Sequence, residues 1–77
     1  MRFYGLRVVV IPGDHRPPHV HVIGNSNYAV FDLSCPTGSA DLRENIGFSP
    51  RDLNRIEREL TVGLVVLCVE WEQINGD

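Results

Sequence analysis

The hydrophobic and polar positions of the chain follow two different periods, one in each half. Up to about residue 48 apolar and polar residues alternate, which is typical of β-strands, and from residue 49 the apolar residues recur at helical spacing. The pattern predicts an α+β fold in which a small antiparallel meander of three or four strands packs against one broken or two short C-terminal helices. Residues 1–77 form one domain in this prediction, with strands in about 2–48 and helices in about 49–75.

Four segments of the first half are predicted strands, and turn residues separate them. The second and third segments are joined by the turn sequence GNSN, which makes them an antiparallel hairpin. The fourth segment has the weakest alternation and could be an extended arm. In order, the segments are RFYGLRVVVI (2–11), HVHVIG (19–24), YAVFDLS (28–34) and ADLRENIGF (40–48).

The second half carries the start and stop signals of helices. Ser49 is a suitable N-cap and Pro50 suits the first helical position, while the Asn-Gly pair at 75–76 ends the pattern. Gly63 is the expected break. Because β-branched residues disfavour helices, the valines within 62–69 leave a buried strand open as an alternative there.

The apolar segment LTVGLVVLCV at 60–69 is too short to span a bilayer, which takes ~20 residues. We therefore predict no membrane span, and the N-terminal segment does not resemble a signal peptide. A domain of 77 residues buries only a modest share of the surface of its unfolded chain, so its stability is marginal. An exposed apolar face on such a domain favours association with another chain. A second copy or a small protein partner is expected to cover this helix, with Leu64, Leu67 and Trp71 as the predicted interface.

Composition and charge narrow the class of protein. Two cysteines, Cys35 and Cys68, are too few for a disulfide scaffold, so we expect a reduced, cytoplasmic protein. The net charge is −3, and all of it comes from residues 49–77. An acidic balance argues against strong non-specific binding of nucleic acids.

All three histidines of the chain lie within the short segment HRPPHVHV. His19 and His21 are two residues apart on a predicted strand, so their side chains point the same way with Cα atoms ~6.5–7 Å apart. His15 precedes the stiff Pro17-Pro18 pair, which can aim a side chain reproducibly. We take this segment as the candidate functional site.

The histidine segment is compatible with three kinds of function. Histidines act as general acid and base near neutral pH, so His15, Arg16, His19 and His21 are candidate catalytic residues for chemistry on RNA or a nucleotide. Alternatively, His15, His19 and His21 bind a divalent transition metal such as zinc. In that case Asp14 or Asp32 adds an oxygen ligand or orients an imidazole. In the third interpretation they form a polar strand face that docks another protein. Whether the chain is an enzyme stays open.

The residues of several segments together resemble the small bacterial domain-of-unknown-function 4160 family. Its hallmark is H-x-P-P-H-x-H followed by an A-V-F-D-like strand and a C-terminal W-x-x-I-x-G. The matching positions here are His15, Pro17, Pro18, His19, His21, 29–32, Trp71, Ile74 and Gly76.

This resemblance implies a small cytoplasmic prokaryotic protein, often encoded beside another short protein in an arrangement similar to a toxin–antitoxin pair. It implies no settled activity. The leading expectation is therefore a toxin–antitoxin-like component whose histidine face binds or acts on RNA or a nucleotide. The alternatives are a non-enzymatic module that forms a homodimer or small heterocomplex, and a three-histidine metal-binding domain.

Overall fold

The computed structural model describes residues 1–76 and has the predicted α+β architecture. Five antiparallel strands form one sheet in chain order, and two helices follow it. The strands are β1 (Arg2–Phe3), β2 (Leu6–Val9), β3 (His19–Gly24), β4 (Asn27–Leu33) and β5 (Ala40–Ile46). The helices are α1 (Pro50–Val62) and α2 (Leu64–Asn75).

The first predicted strand, 2–11, is in fact a short hairpin, which raises the number of strands from three or four to five. The chain reverses at Tyr4 and Gly5, whose φ angles are 51° and 73°. Glycine adopts a positive φ without a steric penalty, so Gly5 is the residue that permits this turn. The predicted hairpin of the second and third segments is present as β3 and β4, and its turn at Asn25 and Ser26 also has positive φ angles.

One face of the sheet and the two helices enclose the hydrophobic core. The alternation of β3 and β4 places their apolar residues on this face, as predicted. The core side chains of the sheet are Leu6, Val8, Val20, Val22, Ala29, Phe31 and Leu33, and those of the helices are Ile56, Leu60, Leu64, Leu67, Cys68 and Trp71. The opposite face of the sheet, which carries His19 and His21, is therefore free to form a polar site.

The helical half follows its capping signals. Ser49 is the N-cap of α1, and its hydroxyl oxygen accepts a hydrogen bond of 3.1 Å from the backbone N–H of Asp52. Gly63 separates the two helices and Gly76 ends α2, as predicted. The alternative of a strand within 62–69 is wrong. Within residues 1–76, neither helix is long and apolar enough to cross a membrane.

The predicted interface of α2 needs a correction. Leu64, Leu67 and Trp71 are 3%, 1% and 0% exposed, because they lie on the side of the helix that packs against the sheet. They belong to the core of this chain and are not available to a partner. The exposed apolar side chains of α2 lie on its other side, at Val65, Val66 and Val69.

The two cysteines are also not free, contrary to the sequence expectation. A disulfide joins Cys35, in the turn between β4 and β5, to Cys68 on α2. The 33-residue separation carries no spacing signal, because the two residues meet only once α2 has packed across the end of the sheet. The disulfide therefore ties the helical half of the chain to the sheet.

Removal of this disulfide is expected to lower the free energy of unfolding by about 2–4 kcal/mol, because the bond restricts the unfolded chain over a long loop. Urea unfolding of Cys35→Ser beside the wild type measures the loss. A reducing agent should lower the stability of the wild type to that of the variant and leave the variant unchanged. Equal stability of oxidised wild type and variant would contradict this role.

Candidate metal centre

The candidate site forms on the face of the sheet that points away from the helices. His19 and His21 project there from β3, and Tyr28 of the neighbouring strand β4 lies on the same face. The two histidines are only 6% and 8% exposed. Their rings lie edge to face with centroids 5.2 Å apart. The pair predicted from the alternation of HVHVIG is therefore present and nearly buried.

The loop between β2 and β3 covers this pair and is held in place by the end of α2. The Asn75 side-chain oxygen accepts a hydrogen bond of 2.8 Å from the backbone N–H of Gly13, and its amide donates to the carbonyl oxygen of Ile11 at 3.2 Å. Asp14 follows directly, and its own N–H donates to Ile11. These contacts position the Asp14 carboxylate over the histidine pair.

Arg16 fastens the same loop to α2 a second time. Its guanidinium lies 2.7 and 2.9 Å from the two carboxylate oxygens of Glu72, and it stacks over the Trp71 ring at 5.1 Å from the centroid. The indole of Trp71 in turn lies 6.4 Å from the His19 ring, measured between centroids. Arg16 thus contacts both Glu72 and Trp71 of α2. Helix α2 therefore supports the loop and the His19 side of the site.

One carboxylate oxygen lies between the two histidines. Asp14 Oδ2 is 3.0 Å from Nε2 of His19 and 2.9 Å from Nε2 of His21. The side chain of Asp14 is 23% exposed, so the site opens to solvent on this side. Two imidazole nitrogens and one carboxylate thus converge on a small volume that is buried except at Asp14.

The remaining ring nitrogens of both histidines have their own partners. Nδ1 of His19 lies 2.8 Å from the backbone carbonyl oxygen of Pro17, and Nδ1 of His21 lies 2.8 Å from the Tyr28 hydroxyl. A carbonyl oxygen only accepts, so Nδ1 of His19 carries the hydrogen and Nε2 is the nitrogen with the free lone pair in the neutral ring. That lone pair faces the Asp14 carboxylate, so a proton or another cation is needed between the two.

The charges at the site favour an ionised Asp14. The hydrogen bond from His21 lowers the pKa of the Asp14 carboxyl below its usual value, and the charges of His19 and His21 act in the same direction against the effect of burial. Burial raises the pKa of the Tyr28 hydroxyl, and the nearby carboxylates of Glu44 and Asp14 add to this effect. The Asp14 carboxyl is therefore ionised near neutral pH, and Tyr28 keeps its proton.

The three groups are close enough together to be candidate ligands of one transition-metal ion. Their ligand atoms all lie within 4.8 Å of one another. In a tetrahedral site with metal–ligand bonds of ~2.0–2.1 Å, the ligand atoms are about 3.3–3.4 Å apart. The nitrogen–oxygen distances of 2.9 and 3.0 Å are shorter than this by a few tenths of an ångström, so Asp14 would have to move outward slightly to hold an ion with both histidines.

The structure brings together only part of the predicted set of site residues. His19 and His21 are in the site, whereas His15 is exposed and makes no hydrogen bond or ion pair with any residue in 1–76. Arg16 is held by Glu72 instead of pointing into the site. Of the two predicted oxygen ligands, Asp14 is in place, and Asp32 pairs with Arg43 of β5.

Two groups of the site were not predicted from the sequence. The carbonyl of Pro17 follows from the backbone path of the loop, which carries no residue-type signal. Tyr28 lies on β4 directly opposite Ile23 of β3. Ile23 is two residues after His21, so all three side chains lie on the same face of the sheet. Counting across the two-residue turn of the hairpin gives this register and is the signal that could have found Tyr28.

Comparison with known proteins places the chain in a family without assigning a chemistry to it. No curated protein and no solved structure matches the chain. The family model described as "Domain of unknown function (DUF4160)" matches residues 5–72, which cover all of the site and most of the chain. The chain therefore belongs to the DUF4160 family, as the resemblance of its histidine segment implied.

Proposed function

We propose that this protein binds one divalent transition-metal ion, with zinc as the best match, through Asp14, His19 and His21. The observation that carries the proposal is the convergence of two imidazole nitrogens on one carboxylate oxygen, with the outer nitrogen of each ring engaged elsewhere. Metal-binding histidines in proteins typically have such outer partners, which fix the ring orientation and the tautomer.

The donor set favours zinc or a similar ion over calcium or magnesium, because imidazole nitrogen suits transition metals and the harder ions prefer oxygen. Three protein ligands leave a fourth position for solvent or a ligand, which is typical of reactive zinc sites. A zinc ion in such a site lowers the pKa of a bound water toward neutrality. The exposed side of Asp14 gives the ion a route into the site.

Equilibrium dialysis tests the proposal. The untagged chain is stripped with EDTA, dialysed against zinc in excess and then against buffer alone, and its metal content is determined by mass spectrometry. We expect one zinc ion per chain. A chain that retains no zinc would overturn the proposal.

The Tyr28 hydroxyl is expected to act on the metal through His21. Replacing Tyr28 with phenylalanine removes only the hydroxyl oxygen that lies 2.8 Å from Nδ1 of His21. Loss of such an outer partner typically lowers metal affinity by about 10–100-fold. Competition with a chromophoric zinc chelator measures the change, and Tyr4→Phe, which alters an exposed tyrosine outside the site, is the matched control. Equal affinities for the wild type and both variants would argue against this role.

Action on RNA within a toxin–antitoxin-like module is a second candidate function. It is supported by the closeness of His19 and His21, which could serve as an acid and a base around one carboxylate. The catalytic role predicted for Arg16 has less support, because Glu72 already pairs with this side chain. Growth arrest on induction of the wild type, relieved by His19→Ala, would support this candidate, and normal growth with both would count against it.

A further inference from the structure

The first six residues of α2, 64–69, are all apolar, although only one side of the helix packs against the core. Its outer side exposes Val65, Val66 and Val69, with 56%, 65% and 52% of their surface accessible. Val62, at the end of α1, is 84% exposed. Helices that are apolar all round are normally buried all round, so the outer side of α2 has the composition of a covered surface.

These four valines form one continuous stripe. Val65, Val66 and Val69 share one face of α2, and Val62 precedes Val65 by three residues at the end of α1. The two helices meet at Gly63 alone: its N–H donates to the carbonyl of Glu59 at 3.2 Å, and its own carbonyl accepts a hydrogen bond of 3.1 Å from the Leu67 N–H. Only one residue thus separates Val62 from α2, and we call Val62, Val65, Val66 and Val69 the valine stripe.

The valine stripe matches itself when two copies pack antiparallel. With a two-fold axis midway between Val65 and Val66, each Val65 faces Val66 of the second copy, and each Val62 faces Val69 of the second copy. Every valine then meets a valine, with no polar residue opposite. A surface that pairs with itself about a two-fold axis is what a symmetric dimer requires.

One pair of opposite charges flanks the stripe in the same arrangement, although Glu57 and Glu59 adjoin the basic member of the pair. Arg58 lies one turn before Val62, and Glu70 directly follows Val69. Neither forms an ion pair within the part of the chain that the structure describes, residues 1–76. Antiparallel packing brings the end with Arg58 near the end with Glu70 of the second copy, twice in each dimer. The opposite, parallel arrangement would place like charges together.

We propose that the protein forms a symmetric homodimer in which the valine stripes of two copies pack antiparallel. None of the four valines belongs to the proposed metal site, which contacts α2 through Trp71, Glu72 and Asn75 instead. The proposed dimer therefore does not require a bound metal.

The mass in solution tests the proposal. Light scattering during size-exclusion chromatography, with EDTA present and at concentrations up to about 1 mM, detects a dimer with a micromolar Kd. We expect twice the chain mass of 8.7 kDa for the wild type, falling toward 8.7 kDa on dilution. A wild-type chain that stays at 8.7 kDa at the highest concentration would overturn the proposal.

Two variants identify the surface. Val66→Glu places charges at the two-fold axis and is expected to give a monomer with an unchanged circular dichroism spectrum, because this side chain is exposed in the single chain. Ile46→Glu is the matched control, since Ile46 is 60% exposed on the edge strand β5, and it should remain dimeric. A dimeric Val66→Glu chain or a monomeric Ile46→Glu chain would contradict the assigned surface.

A charge exchange tests the antiparallel arrangement. Arg58→Glu is expected to weaken the dimer by roughly tenfold, because the pair with Glu70 occurs twice and each exposed pair contributes little. Adding Glu70→Arg to the same chain should restore the affinity. If the double variant is as weak as the sum of its single changes, the arrangement is not the one proposed.

Discussion

Replacing His21 with alanine is expected to lower the zinc affinity of the chain by at least about a hundredfold, because it removes one of only three proposed protein ligands. Replacing His15 with alanine is expected to leave the affinity unchanged. Both histidines belong to the same short sequence motif, but only the Nε2 atom of His21 lies 2.9 Å from Asp14 Oδ2. The pair of variants thus separates the spatial site from the sequence motif.

Competition with a chromophoric chelator measures both affinities, and the circular dichroism spectrum of each variant without zinc verifies the fold. The side chain of His21 is buried, so its replacement can also lower the stability of the fold. A second variant therefore tests zinc binding at a more exposed position. Asp14→Asn changes the partly exposed carboxylate to an amide of the same shape and is expected to weaken zinc binding as well. Equal losses for His15→Ala and His21→Ala would favour the three-histidine site over the one described above.

Replacing Trp71 with alanine is expected to lower the free energy of unfolding by about 3–5 kcal/mol, as is usual for the truncation of a fully buried indole. Trp71 has no exposed surface and lies between the core and the site, where it contacts the Arg16 guanidinium. For a domain of this size such a loss is a large part of the total stability. The effect distinguishes a core residue from the interface residue that the sequence predicted.

Urea unfolding measures the loss, and Trp71→Phe serves as the control. The indole N–H has no hydrogen-bond partner within residues 1–76, so phenylalanine loses volume without leaving a partner unsatisfied. We expect a smaller cost for phenylalanine than for alanine. A Trp71→Ala chain of wild-type stability but altered mass in solution would show that the residue acts at an interface after all.

Local patterns predicted those parts of the fold that local chemistry decides. The alternation of HVHVIG placed His19 and His21 together, and Ser49 marked the start of α1. The hairpin at Tyr4 and Gly5 was missed because the flanking residues have strong strand character and only one glycine signals the turn. A strand within 62–69 was considered because its valines were judged by intrinsic preference, which tertiary packing of the helix overrides.

The remaining features depend on contacts between distant segments. The Cys35–Cys68 disulfide and the attachment of Asp14 through Asn75 both arise where α2 crosses the end of the sheet. Similarly, the sequence could not decide which face of α2 is buried, because both faces are apolar, with leucine on one side and valine on the other. We therefore predicted an apolar helix correctly but placed the interface at Leu64 and Leu67, which lie in the core.

X-ray absorption spectroscopy at the zinc edge tests the metal centre most directly. The sample is the untagged chain with its disulfide intact, loaded with one equivalent of zinc. We predict a four-coordinate ion with two imidazole nitrogens and light oxygen ligands at about 2.0–2.2 Å, consistent with His19, His21, Asp14 and one solvent oxygen. A spectrum with sulfur at about 2.3 Å, or without imidazole scattering, would contradict the assignment of this site.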